Sequence, residues 1–248
     1  MSILADILVQ AAPSWATIKV IDEMRLRASV TPPLLSGAPG DQFDLVIDTG
    51  VSEVAVSEEV VGKRLPQACP ERHINYGGSF CLGYRRAAVA SRQQAEAFWQ
   101  TLRGYLLAQQ FAERHGRWPA GRGLSHGIEA ADNQIKAELA AARCDLSSEY
   151  TAALDHRVGW LAGQLPEIYT AESCDPSGAA QLCKGSRLGL VRDCFKCNAL
   201  AELVYYERAR RAADAVFVQM ARALIPCCMT MLHCPLRTDV PKSGEERR

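Results

Sequence analysis

The residues best suited to chemistry lie in one short stretch, Cys69-Pro-Glu-Arg-His73-Ile-Asn-Tyr-Gly77-Gly-Ser-Phe-Cys81-Leu-Gly83. It sets a thiol eight residues after an imidazole, with Gly77 and Gly78 between them. Glycine reaches positive φ without a Cβ clash, so this pair predicts a sharp reversal that brings Cys81 and His73 toward each other. A cysteine beside a histidine is either an activated thiolate or the carrier of an acyl group whose tetrahedral intermediate a hydrogen-bond donor stabilises. The bland alternative is a cysteine acting as a small buried hydrophobe. Cys69 reads as a loop-packing thiol, and Asn75 and Tyr76 as turn residues.

A second population of thiols follows. The chain has ten cysteines, seven of them between positions 174 and 234. Cys174, Cys183, Cys194 and Cys197 give C-x8-C-x10-C-x2-C, whose closing pair has the spacing that lets two thiolates reach one tetrahedral zinc. These four are the candidate ligands of a structural zinc, with buried apolar thiols as the competing reading. Cys227, Cys228, His233 and Cys234 form a further group, able to complete a site with the upstream ligands.

Elements must position these groups. Residues 3–22 read as a helix interrupted near Pro13. Met24, Leu26, Ala28 and Val30 alternate with polar residues and predict a half-buried strand. Residues 43–47 predict a second strand, stopped by Asp48-Thr49-Gly50, and residues 51–61 a third. The breaker-rich residues 62–91 form a long loop holding Cys69, His73 and Cys81. From Gln93 the pattern is helical, with Phe98, Leu102, Tyr105, Leu106 and Gln109 on one face. Further helices are predicted over about 127–143, with Ser125 as N-cap, over 147–162, and over 198–224. The last carries a core-facing stripe of Leu200, Leu203, Val204, Ala213, Val216, Phe217, Met220 and Leu224. Strands cluster early and helices late, which predicts an α+β fold.

The reactive stretch resembles the active-site segment of ubiquitin-conjugating enzymes. There a His-Pro-Asn tripeptide precedes a Gly, a small polar residue, an aliphatic residue, the catalytic Cys and a Leu. Gly-Ser-Phe-Cys-Leu at 78–82 matches this run. Glu71-Arg72-His73 stands where the tripeptide would be, so His73 takes the Asn position. An Arg-His-Ile-Asn stretch before Phe-Cys-Leu-Gly is similar to divergent prokaryotic members. The resemblance covers residues 1–120. It implies a UBC-like fold in which Cys81 accepts a protein's C-terminal carboxyl group as a thioester and passes it on, with no cofactor required. It also implies that His73 acts either as oxyanion donor or as general base. The helical, cysteine-rich remainder resembles extensions of bacterial conjugating-enzyme-like proteins in CBASS-type anti-phage operons. The implied partner is a cGAS-like nucleotidyltransferase or a ubiquitin-like protein, with an activating enzyme as a possible third component.

The expected organisation is therefore a conjugating-enzyme-like domain at 1–120, a helical cysteine-rich extension at 121–235 and a polar tail at 236–248. A formal net charge of +0, from 28 basic and 28 acidic residues, removes the electrostatic basis for non-specific nucleic-acid binding. No apolar run approaches the roughly 20 residues a bilayer requires. The N-terminus lacks the pattern of a secretory signal, so a cytoplasmic protein is expected. Two competing functions remain: a non-catalytic scaffold of the same fold, and a zinc protein centred on the cysteine cluster.

Overall fold

A computed structural model of the chain describes residues 2–50, 54–83, 89–120, 125–156, 158–165, 194–232 and 234–237. It divides into two compact units, Met1–Pro119 with Ala221–Arg248, and Ala120–Met220. None of the described helices is long and apolar enough to cross a membrane.

The first unit opens with α1 (Ile3–Gln10), capped by Ser2, whose hydroxyl accepts the Ala5 amide. Four strands follow, β1 (Ala16–Val20), β2 (Arg25–Val30), β3 (Phe43–Asp48) and β4 (Ala55–Glu58). They pair antiparallel in chain order, the simplest meander. The long loop comes next, then α2 (Arg92–His115), held between the Ser91 N-cap and a left-handed Gly116. Leu26, Ala28, Val30, Leu45, Ile47 and Val56 alternate along their strands and cover one sheet face. They meet Leu8 of α1 and Phe98, Trp99, Leu102 and Leu106 of α2 in one core. This is the α+β order the sequence predicts.

One element departs from expectation. Residues 16–20 are strand, not the continuation of the N-terminal helix. Thr17, Ile18 and Val20 are β-branched, and after Pro13 they satisfy their backbone against β2 as an edge strand.

Residues after the long C-terminal helix also pack in the first unit. The Leu232 amide donates to the carbonyl of Gly116 at 2.7 Å. Met231, Cys234 and Leu236 are buried, and the Arg222 guanidinium donates to the Pro235 carbonyl.

The second unit holds α3 (Ile128–Arg143), α4 (Ser147–His156) and most of α5 (Cys194–Leu224). Its core joins Ala137, Ala140, Leu146, Tyr150, Leu161, Leu200, Leu203 and Val204. Two sequence expectations change here. Gly127 precedes α3 without a side-chain cap, because the Ser125 hydroxyl instead accepts a hydrogen bond from Arg210. The stripe on α5 is buried only at its start: Val216, Met220 and Leu224 are exposed. At 1.5 Å per residue α5 runs about 46 Å against about 24 Å for α3, so it overruns its partner. The interior of this unit is also polar. Glu207 is buried and takes hydrogen bonds from Arg210, Arg211 and Tyr150.

Candidate active site

The site is built by one tight hairpin. After β4 the chain enters a short 3-10 turn, Pro70–Arg72, and His73 closes it in the left-handed region at φ 53°. The amide of Asn75 donates to the Ser79 carbonyl at 2.8 Å, and that of Gly78 to the Asn75 carbonyl at 3.0 Å. Gly77 and Gly78 turn the corner at φ 90° and 87°. Only glycine fits at 78, since a Cβ there would lie 2.4 Å from a Val61 methyl. The chain returns so that the Cys81 amide donates to the His73 carbonyl at 2.8 Å. His73 and Cys81 are thus opposite each other across the hairpin, as the Gly-Gly spacing predicts.

The hairpin is fastened to the core on both arms. Ile74 and Phe80 point inward and are buried, and Phe80 stacks on Tyr105 of α2 at 4.8 Å. The Tyr105 hydroxyl donates to the His73 carbonyl at 3.1 Å, so that oxygen holds two donors. Burial, with the neighbouring Cys81 and Cys69 adding to it, keeps this phenol protonated. The His73 ring packs against Trp118, with centroids 5.0 Å apart.

Arg72 anchors the turn before His73. It is 2% exposed. Its Nε donates to Gln109 Oε1 at 2.8 Å, while Gln109 Nε2 donates back to the Arg72 carbonyl at 2.7 Å. A reciprocal pair of this kind fixes backbone and side chain at once. Burial lowers the pKa of this guanidinium, while Glu113 pulls the other way.

Cys81 is half-buried and reduced, open to a reactant yet seated on a rigid platform. That combination suits a thiol that must accept a bulky acyl group and release it. Cys69, by contrast, is 1% exposed and exchanges both backbone hydrogen bonds with Ile74. Its sulfur lies 2.8 Å from that of Cys228. Asn75 and Tyr76 lie exposed at the turn.

Residues 26–120 match the family model of the prokaryotic E2 domain. That stretch, less than half of the chain, is similar to an E2-like domain of prokaryotic type, and E2-like conjugation is the class of function this similarity suggests. The matched residues run from β2 through the hairpin and α2 to just past Trp118. No curated protein matches the chain, and neither does any solved structure.

Of the remaining candidates, Cys174 and Cys183 lie outside the described residues, as do the side chains of Cys194 and Cys197. Among the described residues no group of three His, Cys, Asp or Glu side chains is arranged to hold a metal ion. His126 pairs with Asp214 at 3.0 Å and stacks on Phe217 within the second unit. The sequence reading missed Arg72, Tyr105 and Trp118 as parts of the site. It placed Tyr105 and Gln109 on the correct helix face without a reason for their polar groups. A buried face that carries a glutamine and a tyrosine hydroxyl was the available signal, since such groups require partners.

Proposed function

We propose that this protein is a conjugating transferase that works through a thioester on Cys81. The incoming group is the C-terminal carboxyl of a partner protein, already activated as a thioester or an acyl-adenylate. The Cys81 thiolate adds to the carbonyl carbon, and the activating thiol or adenylate leaves with the electron pair. An amine then attacks the new thioester, forms an amide and releases the Cys81 thiol. Each attack creates a tetrahedral oxyanion, and one hydrogen-bond donor aimed at it contributes about 3–4 kcal/mol. His73 is the donor in this reading. The observation that supports it is the backbone hydrogen bond that pairs Cys81 with His73 across the hairpin, inside a segment that matches the prokaryotic E2 family model.

The partner in this reading is a cGAS-like nucleotidyltransferase or a ubiquitin-like protein, and the setting a bacterial anti-phage operon of the CBASS kind. No cofactor takes part in catalysis. Cys174, Cys183, Cys194 and Cys197 are proposed to hold a structural zinc.

The test is the covalent adduct. Incubation with the activated partner should give a species that thiols reverse. Cys81→Ala should abolish it, and Cys81→Ser should convert it to an oxyester that resists thiols. An adduct that survives in Cys81→Ala refutes the assignment. A well-folded chain that forms no adduct with any activated C-terminus points instead to a non-catalytic scaffold.

A further inference from the structure

Two thiols outside the proposed chemistry, Cys69 and Cys228, meet in the first unit. Cys69 comes from the loop before the hairpin, while Cys227, Cys228 and Cys234 come from the segment after α5. Cys69 and Cys228 are 159 positions apart in sequence, yet their sulfurs stand 2.8 Å apart. At 2.8 Å the two sulfurs stand inside van der Waals separation, closer than a shared proton would hold them.

The cluster is asymmetric. Cys69 and Cys234 are buried, at 1% and 5% exposed, whereas Cys228 is half-buried and also touches the Thr230 hydroxyl at 3.2 Å. Hydrogen bonds from Cys234 and Cys69 pull the Cys228 pKa well down, and the same contacts push those two up.

Two soft-ligand chemistries suit such a group. Thiolates sharing a tetrahedral zinc, at about 2.3 Å each, stand about 3.8 Å apart. The 2.8 Å contact lies below that spacing. It lies above the roughly 2.05 Å of a disulfide bond and leaves only a short approach to one.

We propose that Cys228 and Cys69 form a second reactive thiol centre, oxidised by a small hydroperoxide to an intramolecular disulfide. The Cys228 thiolate attacks the peroxide oxygen, the O–O bond breaks, and the leaving hydroxide or alkoxide takes a proton. Cys228 is then a sulfenic acid. Cys69 attacks its sulfur, the S–O bond breaks, and the Cys69 proton leaves with the hydroxyl as water. Two thiols and one hydroperoxide thus give one disulfide, one water and one further water or alcohol. Exposure fixes the order within the pair, since Cys228 is half-buried and Cys69 is buried. The bond ties the segment after α5 to the loop that carries His73. It does not depend on Cys81 being a nucleophile.

The test uses the full chain, reduced, freed of reductant and treated with a few equivalents of hydrogen peroxide. Non-reducing digestion should yield a crosslinked peptide pair joining positions 69 and 228, in the wild type and in Cys81→Ala alike. Cys228→Ser should lose it. Cys69→Ser should leave a sulfenic acid on Cys228 that dimedone traps, or a bond to Cys234. A second arm needs no variant in the cluster: in Cys81→Ala, iodoacetamide should modify Cys228 before Cys69, because Cys228 is half-buried and Cys69 is buried. In the wild type, a crosslink joining other cysteines overturns the proposal, as does a Cys228 inert to both reagents. Zinc near one per chain that disappears in Cys228→Ser also overturns it, in favour of a metal centre.

Discussion

Replacing Gln109 with leucine should loosen the turn that holds His73 while leaving every group of the site in place. The side chain is fully buried, and leucine has similar bulk, so the change is chiefly polar. It removes the acceptor of Arg72 Nε and one of the donors to the Arg72 carbonyl. The Tyr105 hydroxyl, 3.3 Å from that carbonyl, has its one proton on the His73 carbonyl and covers little of the second loss. The first is uncovered, because a buried guanidinium nitrogen is left facing hydrocarbon. A lost hydrogen bond to a charged group costs about 1.5–3 kcal/mol, and the exposed carbonyl adds about 1. The sum is about 3 kcal/mol, equivalent to about 150-fold in an opening equilibrium. Amide hydrogen exchange reads it locally, since the Cys81 and Ile74 amides are protected only while the hairpin and the preceding turn are closed. Both should exchange about 100-fold faster in Gln109→Leu, with α3 and α5 unaffected. Exchange of the Cys81 amide within threefold of wild type would show that the Arg72–Gln109 pair does not hold the site.

Two further outcomes follow from particular residues. His73→Ala should slow discharge of a Cys81 thioester to an amine by about 100- to 1,000-fold through loss of the oxyanion donor. His73→Asn should stay within about tenfold of wild type, because asparagine also donates and tolerates the φ of 53°; a collapse of the Asn variant, with wild-type rates rising through the imidazole pKa, would make His73 a base instead. For Glu207, burial raises the carboxyl pKa, but hydrogen bonds from Arg210, Arg211 and Tyr150 outweigh it and leave the pKa below its usual 4.5. A depressed carboxyl pKa contributes stability in full above the unfolded value and loses it as pH falls through the folded one. Acid titration followed by far-UV circular dichroism should show the helical unit melting below about pH 4. Glu207→Gln should cost about 3–5 kcal/mol at neutral pH and flatten that acid limb; an unchanged limb would place the acid sensitivity elsewhere.

The meander and α2 were legible because burial there follows the local period. Leu26, Ala28 and Val30 alternate, and Phe98, Leu102, Tyr105 and Leu106 recur at helical spacing. The facing of His73 and Cys81 was legible for a different reason, the Gly-Gly corner. What escaped was decided by distant partners. Residues 16–20 carry too little alternation to declare a strand, and only β2 makes them one. Val216, Met220 and Leu224 continue a perfect stripe, but periodicity cannot say where the neighbouring helix stops. The pairing of Arg72 with Gln109 and that of Cys69 with Cys228 join segments far apart in sequence, and no spacing rule reaches across such gaps.

The nested order of the chain carries a consequence for its birth. A ribosome adding about 5–20 residues per second delivers Cys228 about 10–30 s after Cys69, given the 159 positions between them. During that interval the loop around His73 exists without the strand of chain that seals its underside. The helical unit emerges meanwhile and has time to fold first. Synthesis halted at residue 220 should therefore leave a nascent protein whose Cys69, sealed in the finished molecule, is open to alkylation.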